Sequence, residues 1–190
     1  MRIAMISEHA SPLAVIGGVD SGGQNIYVAH MARCLARLGH EVDVFTRCDD
    51  PALPAVVDMA PRLRVVHVTA GPERFVPKEQ LLEHMPEFAR FCENWMRVAP
   101  RYDVVHANFF MSGLVGLRLK AVFGVPLVVT FHALGLVRRE HLGDADGFPP
   151  ERIAIEKRAV RHADRIIAEC PQDRADLLRV YGADAARLAM

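Results

Sequence analysis

The sequence has no excess of charge of either sign, because its 190 residues include 23 basic and 23 acidic side chains. Proteins that bind nucleic acid or acidic membranes non-specifically use a surplus of Lys and Arg to displace counterions. We therefore expect no nucleic-acid partner, and we expect any ligand to be recognised by a local group of residues.

Cysteines are few and widely separated; they are Cys34, Cys48, Cys92 and Cys170. They form no CxxC pair and no cluster with metal-site spacing, which favours reduced thiols in a cytoplasmic protein without a metal site. Long hydrophobic runs are also lacking. The longest, residues 122–137, is interrupted by two glycines, a proline and a histidine, and it falls short of the ~20 apolar residues that a membrane helix needs. The sequence therefore predicts no membrane span, and its N-terminus has no signal-peptide pattern.

The chain does contain short apolar runs that alternate with longer amphipathic segments. This alternation is typical of β-α-β units around a parallel sheet, and near-continuous apolar runs indicate strands covered by helices on both faces. The predicted strands are Ile3–Ser7, Glu41–Thr46, Arg64–Thr69, Val104–Ala107, Leu127–Phe131 and Arg165–Ala168. The predicted helices run from Gly22 to about Gly39, over Pro77–Val98 with a break at Pro86, and over Met111–Phe123, Glu151–Ala163 and Pro171–Tyr181. We predict one α/β domain over residues 1–190 with a Rossmann-like parallel sheet.

The last segment of the sequence, Gly182–Ala189, resembles the start of one more strand. No further element follows it, which predicts that the chain is one part of a two-domain protein.

A glycine-rich segment, residues 17–25, joins the first strand to the first helix. Glycines at this junction let backbone N–H groups approach an anion at the positive end of the helix. Gly22 and Gly23 therefore predict a phosphate or diphosphate site. Two alternatives are a plain turn and a nicotinamide dinucleotide site, although the loop is not GxGxxG and Thr46-Arg47 follows the second strand where an acidic residue is expected.

Three histidines lie at or just beyond predicted strand ends. His106 closes the fourth strand, His132 closes the fifth, and His9 follows the first. Because the carboxyl ends of parallel strands meet at one edge of the sheet, these rings are predicted to face one crevice. The alternative for each is a hydrogen-bonded packing residue.

Lys78 and Arg152 each begin a predicted helix after a proline. A cation at a helix start opposes the helix dipole, so these residues predict an anionic group close by. Ordinary surface charge is the alternative.

In combination, these motifs resemble the N-terminal domain of the retaining family-four glycosyltransferases, which have the two-domain GT-B fold. The segments that carry the resemblance span most of the chain; they are Asp20–Asn25 (DSGGQN), Gly39–Thr46 (GHEVDVFT), Ala70–Pro72, Lys78-Glu79, Asp103–His106 (DVVH), Thr130–Gly135 (TFHALG) and Ala163–Ala168 (ADRIIA). Within that family the sequence is similar to two branches, sucrose-phosphate synthase and the inositol-phosphate N-acetylglucosaminyltransferase of mycothiol synthesis.

The resemblance implies a role for each matched residue. Gly22 and Gly23 contact the donor diphosphate, and His132 contacts the donor sugar and is the implied catalytic residue. The expected acceptor-binding residues are His9, Asp20, Ser21, Gln24, Asn25, Lys78, Phe109 and Arg152. His106 is added to them because of its place at a strand end. Of these, Lys78 and Arg152 match cations that hold the acceptor phosphate in the inositol-phosphate branch. Phe109 and Ala133 stand where that branch carries Tyr and Thr, which removes two hydrogen-bonding groups from the pocket.

The resemblance also implies a function. Such an enzyme moves a hexose-type sugar, with retention, from a nucleotide sugar to a sugar, polyol or sugar-phosphate acceptor, and it needs no cofactor and no metal. A C-terminal domain, absent from this sequence, holds most of the nucleotide sugar, so residues 1–190 alone are expected to be inactive. The alternatives are a stand-alone sugar-phosphate-binding or protein-interaction module, and a Rossmann-type dehydrogenase or epimerase.

Overall fold

Short runs rich in Val and Ile form the strands of one central sheet. The computed structural model describes residues 1–14 and 22–190. The strands are β1 (Arg2–Ile6), β2 (Glu41–Arg47), β3 (Val56–Ala60), β4 (Leu63–Val68), β5 (Val104–Asn108), β6 (Leu127–Thr130), β7 (Arg165–Ile167) and β8 (Leu188–Ala189). All six strands predicted from the sequence are confirmed, as is the strand expected near the end of the chain.

Six α-helices connect these strands in the described part of the chain; they are α1 (Gly23–Arg37), α2 (Met85–Val98), α3 (Phe110–Phe123), α4 (Gly135–Leu142), α5 (Glu151–His162) and α6 (Pro171–Tyr181). Short 3-10 helices cover Lys78–His84, Gly143–Asp146 and Ala185–Arg187. The break predicted at Pro86 is confirmed, because the 3-10 helix ends at His84 and Pro86 lies in the first turn of α2. Proline is tolerated there because the first N–H groups of a helix have no partner within it.

The strands are ordered β3-β4-β2-β1-β5-β6-β7-β8 in an eight-stranded sheet. β1 pairs in parallel with both β2 and β5, so the chain builds one half of the sheet and then crosses to the other side of β1. In open α/β sheets, ligands bind outside the carboxyl ends of the strands at such a reversal of strand order. The topology therefore predicts a ligand site at the carboxyl ends of β1 and β5.

The expectation of a wholly parallel sheet is wrong at one edge. β3 pairs antiparallel with β4, and Arg62, with a φ of 65°, lies in the tight connection between them. β3 is only half-buried and lies between Pro54 and Pro61, so it lacks the continuous apolar run of the interior strands. An edge strand of this kind gives a weak sequence signal.

The residues of β1 show that both faces of the sheet are covered. Ile3 and Met5 pack with Ala32 of α1 in one buried cluster. Ala4 and Ile6 belong to a second cluster, which includes apolar residues of α2, α3 and α5. This alternation confirms the predicted arrangement of helices on both faces.

A buried polar network closes the amino-terminal edge of the sheet. Asp43 of β2 accepts hydrogen bonds from Arg2 at 2.8 Å, from Arg64 at 2.8 and 2.9 Å, and from the hydroxyl of Tyr102. Burial opposes ionisation of Asp43, but the hydrogen bonds from Arg64 and Tyr102 outweigh it and lower the pKa of this carboxyl. The network lies at the opposite end of the strands from the crevice and has a structural role.

Candidate functional site

A cleft of about 560 Å³ opens at the carboxyl ends of β1, β5, β6 and β7 and at the start of α1. This is the location that the strand order predicts. Its lining residues are His9, Gly22, Gly23, Gln24, Asn25, Ile26, Tyr27, Lys78, Phe109, His132, Ala133, Arg138, Phe148, Arg152 and Glu169. Of the residues expected at the site, Asp20 and Ser21 lie outside the described part of the chain.

The first turn of α1 forms one wall of the cleft. Gly22 is the N-cap of this helix, and its N–H donates to Asn25 Oδ1 at 3.0 Å. A Cβ atom built on Gly22 or Gly23 would meet no atom of the described residues within 4 Å. Unpaired N–H groups and the positive end of the helix dipole make such a helix start suited to an anion.

Gln24 and Asn25 line the cleft, but their side chains also hold the protein together. The Gln24 amide donates to Ser7 Oγ and to the carbonyl of Asn108, both at 3.3 Å. Asn25 uses its oxygen to cap α1 and its nitrogen to donate to the carbonyl of Ser11 at 3.0 Å. Their acceptor-binding roles stay predictions.

His132 lies just after β6 and packs against α1. Its Nδ1 is 2.9 Å from Glu169 Oε1, and its Nε2 is 3.1 Å from Asn108 Oδ1. The edge of the ring also contacts Tyr27 at a centroid distance of 4.8 Å. The orientation of this imidazole is therefore fixed from three sides, and both of its ring nitrogens have oxygen partners.

Two residues that line the cleft have a strained backbone. Among the described residues, three that are not glycine have a positive φ, and two of them are Phe109 at 86° and His132 at 59°. Side chains with a Cβ rarely adopt this region, and such strain concentrates at functional sites because the surrounding structure must maintain it. The strain supports the interpretation of the cleft as a site.

His9 extends from the end of β1 into the cleft, and Glu8 lies behind it. Glu8 Oε1 is 2.7 Å from His9 Nδ1, and Ser112 Oγ donates to the other carboxylate oxygen. Phe109 contacts the imidazole edge-on at a centroid distance of 5.0 Å.

Arg152, in the first turn of α5, is fully buried and still lines the cleft. Its Nε donates to Glu156 Oε1 at 2.8 Å, and one of its Nη atoms donates to the carbonyl of Ala133 at 2.7 Å. The guanidinium also lies over the rings of three phenylalanines, which are Phe109, Phe110 and Phe148. The anion predicted beside this cation is thus present in the protein as Glu156, one helical turn away, but Arg152 Nη1 is buried without a partner among the described residues.

Glu156 is itself the centre of a buried network. Both of its oxygens accept from the Gly135 N–H, at 3.1 and 3.0 Å, and the Tyr181 hydroxyl donates to Oε2. Burial raises the pKa of Glu156, although Arg152 and Tyr181 oppose that shift. This network joins α4, α5 and α6 directly behind the cleft.

Lys78 and Arg138 also line the cleft. Arg138 lies over the ring of Phe148, as Arg152 does, and forms an ion pair with Asp146 at 2.7 Å. Lys78 begins the 3-10 helix after Pro77, as the sequence predicts. The preceding segment is held by Arg47, which donates to the carbonyls of Pro72 and Arg74, both at 2.6 Å. Three cationic side chains therefore line the cleft.

His106 does not line the cleft. It is buried within β5, with Nε2 2.9 Å from Thr130 Oγ1 of the neighbouring strand. Burial, with a smaller contribution from His132, lowers the pKa of His106 to about 4. It is a neutral packing residue beneath the site, which is the alternative that the sequence left open.

Sequence reasoning missed several lining residues, among them Tyr27, Arg138, Phe148 and Glu169. Glu169 lies two residues beyond the end of β7, so the strand-end argument that found His9 and His132 would also have found it. Sequence reasoning also missed α4, which begins at Gly135.

Residues 1–14 and 22–190 contain no group of three or more His, Cys, Asp or Glu side chains able to hold a metal ion. The expected independence from metals and cofactors stays a prediction. Within the same residues, no helix has the length and apolar character needed to cross a membrane.

The chain is similar to known glycosyltransferases. Residues 22–190 match the family model described as a glycosyl transferase 4-like domain. D-inositol 3-phosphate glycosyltransferase 2 of Catenulispora acidiphila is 41% identical over 99% of this chain and 45% of its own length, and the D-inositol 3-phosphate glycosyltransferase of Kribbella flavida is 40% identical over 98% and 45%. The solved structure of sucrose-phosphate synthase from Thermosynechococcus elongatus superposes with a TM-score of 0.92 at 34% identity, over 99% of this chain and 47% of that one. The chain thus spans about half the length of the relatives that it matches.

Proposed function

Because the chain belongs to the glycosyl transferase 4-like family, we propose that it is the acceptor-binding half of a retaining glycosyltransferase with the GT-B fold. The complete enzyme moves a hexose-type sugar from a nucleotide sugar to a sugar, polyol or sugar-phosphate acceptor. A second, C-terminal domain holds most of the nucleotide sugar. The relatives named above support this proposal, since this chain corresponds to about half of each.

The buried guanidinium of Arg152 carries the further proposal that the acceptor is phosphorylated. A buried donor without a partner costs about 1–3 kcal/mol, and Arg152 Nη1 is such a donor in a side chain that lines the cleft. A phosphate offers several strong acceptor oxygens to a guanidinium fork. Lys78 and Arg138 also line the cleft.

The start of α1 suits the donor side of the reaction. A diphosphate beside Gly22 and Gly23 receives the field of the helix N-terminus, which stabilises the charge that develops as the sugar leaves. His132 faces the donor sugar, and an oxygen of the departing diphosphate takes the acceptor proton. Because helix end and cations supply the positive charge, the transfer needs no metal ion.

The location that we propose for the enzyme is the cytoplasm. The four cysteines are free thiols, which is the usual state in a reducing compartment.

A binding titration of the 190-residue chain tests the phosphorylated acceptor. We expect D-inositol 3-phosphate and glucose 6-phosphate to bind more tightly than myo-inositol and glucose. Lys78→Ala should weaken the binding of the phosphorylated ligands about tenfold or more, since a hydrogen bond to a charged group contributes ~1.5–3 kcal/mol. Lys157→Ala, at an exposed position of α5, is the matched control. Equal binding of neutral and phosphorylated ligands, or equal losses for both in Lys78→Ala, would refute the proposal.

A further inference from the structure

The two histidines that line the cleft differ in their free hydrogen-bonding capacity. His132 has an oxygen partner at each ring nitrogen, Glu169 at Nδ1 and Asn108 at Nε2. His9 has a partner at Nδ1 alone, which is Glu8, and no group in the described part of the chain hydrogen-bonds its Nε2. His9 is therefore the imidazole that has a nitrogen available to a ligand.

Glu8 is the feature that neither the family resemblance nor the motifs explain. Its side chain is fully buried, which is costly for a carboxylate unless charge and hydrogen bonds compensate it. His9 Nδ1 lies 2.7 Å from Glu8 Oε1, and Ser112 Oγ donates to the second oxygen of Glu8. A carboxylate only accepts hydrogen bonds, so Nδ1 of His9 must carry a proton. In the neutral imidazole, Nε2 then carries the lone pair.

We propose that Glu8 is a positioning residue that holds His9 with Nδ1–H towards the protein interior and Nε2 towards the cleft, where Nε2 accepts a hydrogen bond from a hydroxyl group of the acceptor. The edge-on contact with Phe109 fixes the plane of the same ring. This inference rests on the proposed function and deepens it. The cationic side chains of the cleft bind the phosphate of the acceptor, and His9 binds one of its hydroxyl groups.

The first test needs no ligand. Long-range ¹H–¹⁵N NMR of the imidazoles reports which nitrogen of His9 carries the proton. We expect the Nδ1–H form in the unmodified chain and in Glu8→Gln, whose amide oxygen still accepts from Nδ1, and a mixture of forms in Glu8→Leu. Glu83→Leu is the matched control, because Glu83 also precedes a histidine but is exposed. An Nε2–H form in the unmodified chain, or no change in Glu8→Leu, overturns the proposal.

The second test separates the two ends of the ligand. Glu8→Leu should weaken the binding of D-inositol 3-phosphate about tenfold, which corresponds to the loss of one hydrogen bond. The affinity for inorganic phosphate should stay unchanged. A general loss of structure would instead weaken the binding of both D-inositol 3-phosphate and inorganic phosphate. Equal affinity of Glu8→Leu and the unmodified chain for D-inositol 3-phosphate overturns the proposal.

A third variant covers the case in which Glu8→Leu does not fold. His9→Asn keeps a donor for Glu8 at the position of Nδ1 but removes Nε2, so it should show the same selective loss. If the unmodified chain binds neither probe, the proposed function fails. If it binds inorganic phosphate and D-inositol 3-phosphate equally, the inference about His9 fails and the phosphate site remains.

Discussion

Replacing Arg152 with methionine tests whether the buried ion pair of Arg152 and Glu156 stabilises the protein. Arg152→Met keeps an apolar chain of similar length among the phenylalanine rings but removes the cation that faces Glu156 at 2.8 Å. The Glu156 side chain has no exposed surface, so it cannot recover solvation when its partner is lost. Breaking a buried ion pair by removing one member costs about 3–5 kcal/mol, and we expect a loss of that size in the free energy of unfolding.

The same variant should change the pH dependence of stability. Burial already raises the pKa of Glu156 above its unfolded value. A carboxyl group with a raised folded-state pKa contributes stability that is complete below its unfolded pKa of about 4.3 and is lost as the pH rises through the folded value. Without Arg152 the pKa rises further, so the decline in stability should extend to higher pH.

Urea unfolding at several pH values measures both effects. Arg158→Met, an exposed position on the same helix, is the matched control and should stay within about 0.5 kcal/mol of the unmodified chain. In the double variant Arg152→Met/Glu156→Gln no charge is buried alone, so the two losses should couple by about 2 kcal/mol. A loss below about 1 kcal/mol for Arg152→Met, or purely additive losses in the double variant, would show that Arg152 and Glu156 do not form a buried ion pair.

Three further predictions concern other parts of the molecule. Asp43→Asn should cost about 3 kcal/mol in urea unfolding, because it leaves Arg2 and Arg64 without their shared carboxylate; since the pKa of Asp43 is lowered, its contribution in the unmodified chain should be lost as the pH falls below about 4. Gly135→Ala should cost about 1–3 kcal/mol, because its Cβ would lie 2.9 Å from Arg152 Nε and 2.9 Å from Glu156 Oε2, and unchanged stability would contradict that crowding. His132→Ala should abolish sugar transfer by the complete gene product while its circular dichroism spectrum stays native, and retained turnover would contradict the role proposed for this ring.

Most of the strands that the sequence predicted are buried on both faces. Such burial favours an apolar composition, as in residues Ile3–Ile6 of β1. β3 escaped prediction because an edge strand needs only one apolar face, and α4 escaped because Ala133-Leu134-Gly135 has the composition of a turn.

The strand-end rule placed most of the site but not its internal contacts. His9 and His132 were predicted because parallel strands end at one edge, whereas Glu169 follows the same rule and was missed because an acidic residue is usually solvated. Contacts across the fold, such as Ser112 with Glu8, have no signature in one sequence because 104 residues separate the two partners. The pair Arg152–Glu156 is different, since its spacing of one helical turn is visible in the sequence.

We propose that this chain provides the acceptor site of a retaining glycosyltransferase. The most direct measurement incubates the complete gene product with UDP-, GDP- and ADP-sugars, each with D-inositol 3-phosphate or glucose 6-phosphate and with their dephosphorylated counterparts, and follows the products by NMR. We expect transfer from an α-linked donor to a phosphorylated acceptor, with an α-linked product. A folded protein that transfers no sugar, or a product with inverted configuration at the anomeric carbon, would contradict it.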